Sequence, residues 1–258
     1  MGRRFVRALL LAAFVASSAV PALAETSGQE HLRVVFVGGL GSTATSNQLT
    51  FGPLSGALTS GAGYARDDLL TFGYAGGDTC QPLSSSAEQL AGYMRDLRDS
   101  KQADGVVLVG HSMGGVVALD AAAHLLQLTQ QDAARPFVRR IITVDSPLGG
   151  LTRFQRAVIA DLWLGVCPAA NDAVQRYADT AWPATLSGRV RGLIEDGVQV
   201  YAVANPEDLL LDTWTQYVPE VSVNVTLSAI DDGLSHSAVL TLPHAVAELV
   251  RLVGTRAA

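Results

Sequence analysis

The fold of this chain is constrained most strongly by one pentapeptide, Gly110-His111-Ser112-Met113-Gly114. Its glycine–any–serine–any–glycine spacing is typical of a turn that leads from a β-strand into an α-helix with the serine at its tip. The apolar run Val106–Val109 precedes the turn, and the helix-forming stretch Val116–Leu128 follows it. Strand and helix approach too closely there for larger side chains, so glycines flank the serine. The pattern predicts a nucleophilic Ser112 and an oxyanion donor in the Met113 N–H.

Apolar, β-rich segments alternate with helical patterns along the rest of the chain. The predicted strands are Leu32–Val37, Leu69–Tyr74, Val106–Val109, Ile141–Val144, Val198–Ala204 and Val221–Leu227. The predicted helices are Leu49–Leu58, Ser84–Asp99, Met113–Leu128 and Ser235–Val253. Continuously apolar strands suit burial on both faces of a sheet. The alternation therefore predicts an α/β fold, with a mainly parallel central sheet and helices on both faces.

The first 24 residues have the pattern of a signal peptide. Three arginines precede the apolar run Ala8–Val20, and Ala22-Leu23-Ala24 is a small-residue cleavage site. The run is short for a membrane span, so we expect cleavage and export to the cell envelope or beyond; an uncleaved anchor is the alternative. Residues 25–258 then form one domain. Losing the three arginines changes the net charge from −6 to −9, and no basic patch for nucleic acid is present.

The two cysteines, Cys80 and Cys167, suggest a covalent link. An oxidising compartment favours a disulfide between them, and two free thiols are the alternative. Two cysteines without a C-x-x-C pair or nearby histidines argue against a zinc site. We therefore expect no metal.

About fifty residues separate the strands predicted at Ile141–Val144 and Val198–Ala204, more than a plain crossover needs. Apolar residues recur there at helical spacing: Phe154, Val158, Ile159, Leu162, Trp163 and Val166. We expect a helical cap, inserted at about residues 148–196, that lies over the site and is tied by Cys167 to the loop of Cys80. The alternative is that this stripe packs on the sheet.

A serine nucleophile needs a general base and a group that orients the base. In a fold of this kind the chain order is serine, acid, histidine. Asp208 lies just beyond the strand predicted at Val198–Ala204, and His236 lies on a loop before the last helix. We expect Ser112, Asp208 and His236 to form a catalytic triad, with a structural role for His111. The alternatives are Asp145, Glu207 and Asp212 for the acid and His244 for the histidine.

A second oxyanion donor is expected in the glycine-rich loop that follows the first strand. The segment Gly38-Gly39-Leu40-Gly41 allows a close backbone approach to a developing negative charge. The Leu40 N–H would act together with that of Met113. The loop lacks the glycine spacing and the following lysine of nucleotide-binding loops, so a phosphate cradle is disfavoured.

These segments together resemble secreted lipases and esterases of the α/β-hydrolase superfamily, related to bacterial lipases and to GPI inositol-deacylase-like lipases. The matching segments are Val37–Ser42, Gly110–Gly115, the Asp-Ser-Pro-Leu-Gly-Gly run within Val144–Gly150, Asp208, and His236–Leu240. The resemblance implies a small-molecule or lipid ester substrate, an acyl-serine intermediate, no cofactor, and transient contact with lipid surfaces. A thioesterase, amidase or acyltransferase would use the same triad, and a non-catalytic binding protein is an alternative from another class.

Overall fold

The computed structural model describes residues 30–129, 135–163, 167–218 and 221–255. The predicted signal peptide, residues 1–24, lies outside these ranges. The described strands are β1 (Leu32–Val37), β2 (Leu69–Thr71), β3 (Gly105–His111), β4 (Val138–Val144), β5 (Gln199–Ala204) and β6 (Val223–Thr226). They form one sheet in the order β2-β1-β3-β4-β5-β6, and every neighbouring pair is parallel.

Helices cover both faces of this sheet. The described α-helices are α1 (Ala44–Thr50), α2 (Gly52–Gly61), α3 (Leu83–Asp99), α4 (Met113–Thr129), α5 (Arg153–Trp163), α6 (Pro168–Ala178), α7 (Trp182–Glu195), α8 (Ala238–Thr241) and α9 (Pro243–Val253). One apolar core joins α3, α4 and α7 to one face, and a second joins α2, α8 and α9 to the other. Strand β3 alternates between the two cores: Leu108 lies in the first and Val109 in the second. The predicted α/β class is confirmed.

Two helices predicted as continuous are each divided in the structure. The segment predicted at Leu49–Leu58 is split between α1 and α2, and Ser235–Val253 between α8 and α9. Pro53 and Pro243 lie in the first turn of the second helix of each pair. Proline has no N–H to donate and drives the preceding residue away from helical geometry, so it begins a helix more readily than it continues one.

Three helices lie between β4 and β5, where the sequence predicts a cap. Helix α7 packs against α4 and β5, and α6 packs against α3 and α5. Trp182 at the start of α7 is buried, and its Nε1–H donates to the Leu148 carbonyl at 2.9 Å. Phe154, the first residue of the predicted apolar stripe, is 77% exposed rather than packed on the sheet. The side chains of residues 159–163 and all of Val166 lie outside the described part.

The predicted disulfide is present between Cys80 and Cys167. It joins the loop after β2 to the residue that precedes α6, and the Ala169 N–H donates to the Cys80 carbonyl at 3.3 Å. Nearby, the Asp172 carboxylate of α6 accepts the first N–H of α3, from Leu83, at 2.9 Å. These links fix α6 against α3 and the loop after β2. Among the described helices, none combines the length and the hydropathy that a membrane span requires.

Candidate active site

Ser112 lies between β3 and α4, where the sequence predicts a tight turn. Its φ angle of 56° is in the left-handed region, which is unfavourable for a residue with a side chain. The turn is held because the Ser112 N–H donates to the Val144 carbonyl at 2.9 Å. A Cβ atom on Gly110 would lie 2.5 Å from the Gly114 carbonyl oxygen, and one on Gly114 would overlap the Val37 carbonyl. Both flanking positions therefore require glycine.

Asp208 and His236 are brought together at the same edge of the sheet. Asp208 Oδ2 lies 2.7 Å from His236 Nδ1, and the aspartate side chain is fully buried. The other carboxylate oxygen, Oδ1, accepts the N–H groups of Leu210 at 2.7 Å and Leu211 at 3.2 Å. With Nδ1–H donating to the carboxylate, His236 Nε2 carries a lone pair that can accept a proton.

The histidine is placed next to the serine strand. The His111 side chain is in contact with His236, with ring centroids 4.8 Å apart, and His111 directly precedes Ser112. Among the described residues, no hydrogen bond joins the Ser112 hydroxyl to the His236 imidazole. In free enzymes this contact is often long and tightens only when substrate binds. The serine turn and the Asp208–His236 pair therefore lie next to each other at this edge of the sheet.

The acid at the alternative position, Asp145, is also buried, but it does not hold the histidine. Neither of its carboxylate oxygens has a hydrogen-bond partner. Burial raises the pKa of Asp145 well above its usual range, and the neighbouring Asp208 carboxylate raises it further. Of the two buried carboxylates, Asp208 is the one in contact with the His236 imidazole.

The remaining alternatives lie away from the imidazole of His236. The Glu207 carboxylate accepts a hydrogen bond from the Ser228 hydroxyl at 3.0 Å. Asp212 is exposed. His244, in the first turn of α9, donates from Nε2 to the Ser228 carbonyl at 3.0 Å on the surface. Each of these three side chains thus has a local role of its own or faces solvent.

The glycine-rich loop after β1 lies directly against the serine. A Cβ atom built on Gly39 would be 2.6 Å from Ser112 Cβ and 3.0 Å from Ser112 Oγ. Leu40 follows in the same loop, and Met113 is the first residue of α4, whose N–H the helix itself leaves without a partner. The loop that carries Leu40 and the first turn of α4 therefore both lie next to Ser112.

Two side chains that the sequence analysis does not single out hold this loop. The Tyr74 hydroxyl donates to the Gly38 carbonyl at 2.7 Å, and Thr79 Oγ1 accepts the Gly41 N–H at 2.6 Å. Burial raises the pKa of Tyr74, so its hydroxyl remains a donor. The available sequence signal is weak: both residues follow the second strand, and its carboxyl end lies at the same sheet edge as that of β1.

The described residues contain no group of three or more histidine, cysteine or acidic side chains that could hold a metal ion. The chemistry that these side chains can perform is proton transfer and nucleophilic attack.

Comparisons with known proteins bear on the family and the fold. The sequence model of the Alpha/beta hydrolase family matches residues 34–255. A gene product of Listeria innocua has a similar structure, with a TM-score of 0.59 and 14% identity over 87% of this chain and 94% of that one. A lipase-esterase related protein from Clostridium acetobutylicum gives 0.50 and 14% over 86% and 94%. Phospholipase PlaB from Legionella pneumophila gives 0.52 and 16% over 69% and 39%. No curated protein matches the sequence.

Proposed function

The chain belongs to the alpha/beta hydrolase family, and from this premise we propose that it is a serine hydrolase that cleaves carboxylic esters. The observation that carries the proposal is the 2.7 Å contact between Asp208 and His236 beside the turn that bears Ser112. Two elements of the fold converge on this point: the serine turn after β3 and the acid loop after β5. Carboxylic esters are among the substrates that an activated serine attacks to form a covalent acyl intermediate.

The proposed reaction has two halves. Ser112 Oγ attacks the ester carbonyl carbon while His236 Nε2 takes the hydroxyl proton, and Asp208 stabilises the imidazolium that forms. The N–H groups of Leu40 and Met113 bind the tetrahedral oxyanion. As the intermediate collapses, His236 returns the proton to the departing alkoxide, which leaves as an alcohol. Water, activated by the same imidazole, then hydrolyses the acyl-serine.

Apolar side chains near the acid and the histidine support an apolar acyl group. Leu209 and Leu234 are 73% and 46% exposed, and the Leu209 N–H donates to the Leu234 carbonyl at 3.0 Å. Tyr177 and Trp214 form a second exposed pair with ring centroids 5.4 Å apart. Exposed apolar clusters of this kind are typical of ligand and lipid contacts. We propose that they line the acyl path, with the helices within residues 148–196 as its cap.

We also propose that the protein acts outside the cytoplasm. The basic start, the apolar run and the small-residue site of residues 1–24 support export. The Cys80–Cys167 disulfide supports an oxidising compartment. Mass spectrometry of the protein recovered from outside the cells tests this, because a chain that begins at Met1 would contradict cleavage.

Labelling with a fluorophosphonate probe tests the nucleophile. The probe should label the wild-type protein and should fail to label the Ser112→Ala variant. Ser60→Ala is the matched control, since Ser60 is an exposed helical serine whose hydroxyl bonds only its own helix; this variant should be labelled like the wild type. Labelling that persists in Ser112→Ala would overturn the proposal.

Hydrolysis of p-nitrophenyl esters of increasing acyl length tests the substrate class. We expect medium and long acyl chains to be cleaved with a higher kcat/KM than acetate, because longer chains bury more apolar surface. Activity confined to acetate and butyrate esters would contradict the apolar acyl path while leaving the nucleophile assignment intact.

A further inference from the structure

We propose that Asn205 and His111 form a positioning pair: they donate hydrogen bonds to the backbone on both sides of His236 and so orient its imidazole toward Ser112. The inference rests on the proposed function, because it assigns to these two side chains the orientation of the general base. Neither side chain is placed to touch the substrate in this account. Both act through His236.

Asn205 joins the loops of the acid and the histidine. It follows β5 directly, three residues before Asp208, and is fully buried. Its amide Nδ2 donates to the carbonyls of Ala229 at 2.8 Å and Ser235 at 2.9 Å. Its Oδ1 accepts the N–H groups of Glu207 at 3.2 Å and Ala229 at 3.0 Å. Through both N–H donors and the carbonyl acceptor, this one side chain joins the loop of Asp208 to the loop that precedes His236.

His111, on the strand that leads to Ser112, donates a hydrogen bond to the carbonyl of His236. It is the last residue of β3, and its Nε2–H donates to the His236 carbonyl at 2.8 Å. Burial, and to a smaller extent the nearby His236, lower the pKa of His111 to about 3, so this imidazole stays neutral. A neutral ring with its proton on Nε2 is the tautomer that this contact requires.

Two consecutive carbonyl oxygens, those of Ser235 and His236, are therefore held from two different strands. The Asn205 contact comes from the strand that leads to Asp208, and the His111 contact from the strand that leads to Ser112. Fixing both carbonyls fixes the peptide planes on either side of the His236 Cα atom. The direction of its side chain is then tied directly to both of its proposed partners.

The backbone at this point needs such support. Ser235 has a φ angle of 55°, an unfavourable left-handed conformation for a serine. Its N–H donates to Asp231 Oδ1 at 3.0 Å, and its carbonyl is held by Asn205. The Ala238 N–H also donates to this carbonyl, at the longer distance of 3.3 Å. Without the Asn205 donor, that longer contact alone holds the carbonyl side of the strained residue. Rotation of the Ser235–His236 peptide would then turn the imidazole away from the serine.

The test compares variants that remove a donor with variants that keep it. Asn205→Asp preserves the shape and the acceptor but removes the two hydrogen bonds that Nδ2 donates. His111→Phe keeps a ring without a donor, and His111→Gln restores an N–H. Asn224→Asp is the matched control: Asn224 bonds both backbone groups of Val218, at 3.0 and 3.4 Å, on the exposed strand β6.

Three quantities are measured for each variant: the second-order rate of fluorophosphonate labelling, the low-field proton resonance of His236 Nδ1–H, and the melting temperature. We expect Asn205→Asp and His111→Phe to slow labelling by about 10- to 100-fold, the range that a misplaced catalytic group costs. We expect both to shift or broaden the resonance, His111→Gln to recover most of the lost rate, and Asn224→Asp to match the wild type.

Folded Asn205→Asp and His111→Phe proteins with wild-type labelling rates and an unchanged resonance would overturn the inference, even if they melt at lower temperature. Should Asn205→Asp fail to fold, the comparison of His111→Phe with His111→Gln decides the question. A wild-type protein that is never labelled would end the proposed function. The resonance would then still report whether the pair orients His236.

Discussion

Replacement of Gly39 by alanine is the sharpest steric test of the oxyanion hole. A Cβ atom at this position would lie 2.6 Å from Ser112 Cβ and 3.0 Å from its Oγ. Carbon atoms in favourable contact are about 3.5–4.0 Å apart, so the loop and the serine turn must separate by roughly 1 Å. The backbone of the serine turn is also close, because the His111 carbonyl oxygen is 3.2 Å from the same point.

The separation would withdraw the Leu40 N–H from the position where an oxyanion forms. Loss of one oxyanion donor costs about 100- to 1,000-fold in kcat, equivalent to roughly 2.7–4 kcal/mol of transition-state stabilisation. Binding of the ground-state ester changes little, because the donor acts mainly on the charge that develops in the transition state. We therefore expect Gly39→Ala to lower kcat by about two orders of magnitude, with KM within about threefold of the wild type.

Steady-state hydrolysis of a p-nitrophenyl ester measures both constants. Gly92→Ala is the matched control, because Gly92 lies in the middle of α3 with nothing within 4 Å of its Cβ position. That variant should keep wild-type kinetics and gain about 0.5–1 kcal/mol of stability from better helix propensity. A Gly39→Ala protein whose kcat stays within about twofold of the wild type would refute the placement of this loop.

Three further predictions concern stability. The Cys80→Ser, Cys167→Ser double variant should lose about 4–5 kcal/mol of unfolding free energy in urea, because the disulfide closes a long loop; a loss under about 1 kcal/mol would contradict this. The pKa of His111 is lowered to about 3 in the folded protein, whereas the unfolded chain binds a proton on this histidine below about pH 6.5. The free energy of unfolding therefore decreases as the pH is lowered through 6.5. Urea melts at pH 7 and pH 5 should show about 2 kcal/mol of this loss in the wild type and none of it in His111→Gln; equal losses would refute it. The pKa of Asp145 is raised in the folded protein, so its carboxyl keeps a proton there that the unfolded chain releases above about pH 4. The free energy of unfolding of the wild type therefore decreases as the pH rises. Asp145→Asn should thus gain stability relative to the wild type between pH 5 and pH 8, and a constant difference would count against a neutral Asp145.

The sheet could be predicted from the sequence because its strands are short, continuously apolar runs that can be recognised locally. The run Val106–Val109 is apolar throughout, and burial on both faces, in two separate cores, explains why. The divided helices were predicted wrongly because the periodic pattern continues through the breaks. Pro53 and Pro243 lie in the first turn of the second helix at each break, where the N–H that proline lacks would have no helical partner, and Leu242 before Pro243 is extended.

The order of residues along the chain predicts which groups could form the site, but not every contact that shapes it. Asp145 and Asp208 both follow strands, and only the packing of the loops decides which carboxylate meets His236. The partners of Asn205 lie up to 30 residues away in the chain, and no local pattern marks such contacts. A polar residue at the end of a buried strand has many uses, so its role emerges only from tertiary structure.

Trapping of the covalent intermediate tests the central claim most directly. The protein is mixed with a p-nitrophenyl ester, quenched in acid within the first turnover, digested and analysed by mass spectrometry. We expect an acyl group on the peptide that contains Ser112 in the wild type, and a greatly reduced amount in His236→Ala at the same quench time. An acyl group on another residue, or equal acylation of Ser112 without the imidazole, would contradict the account.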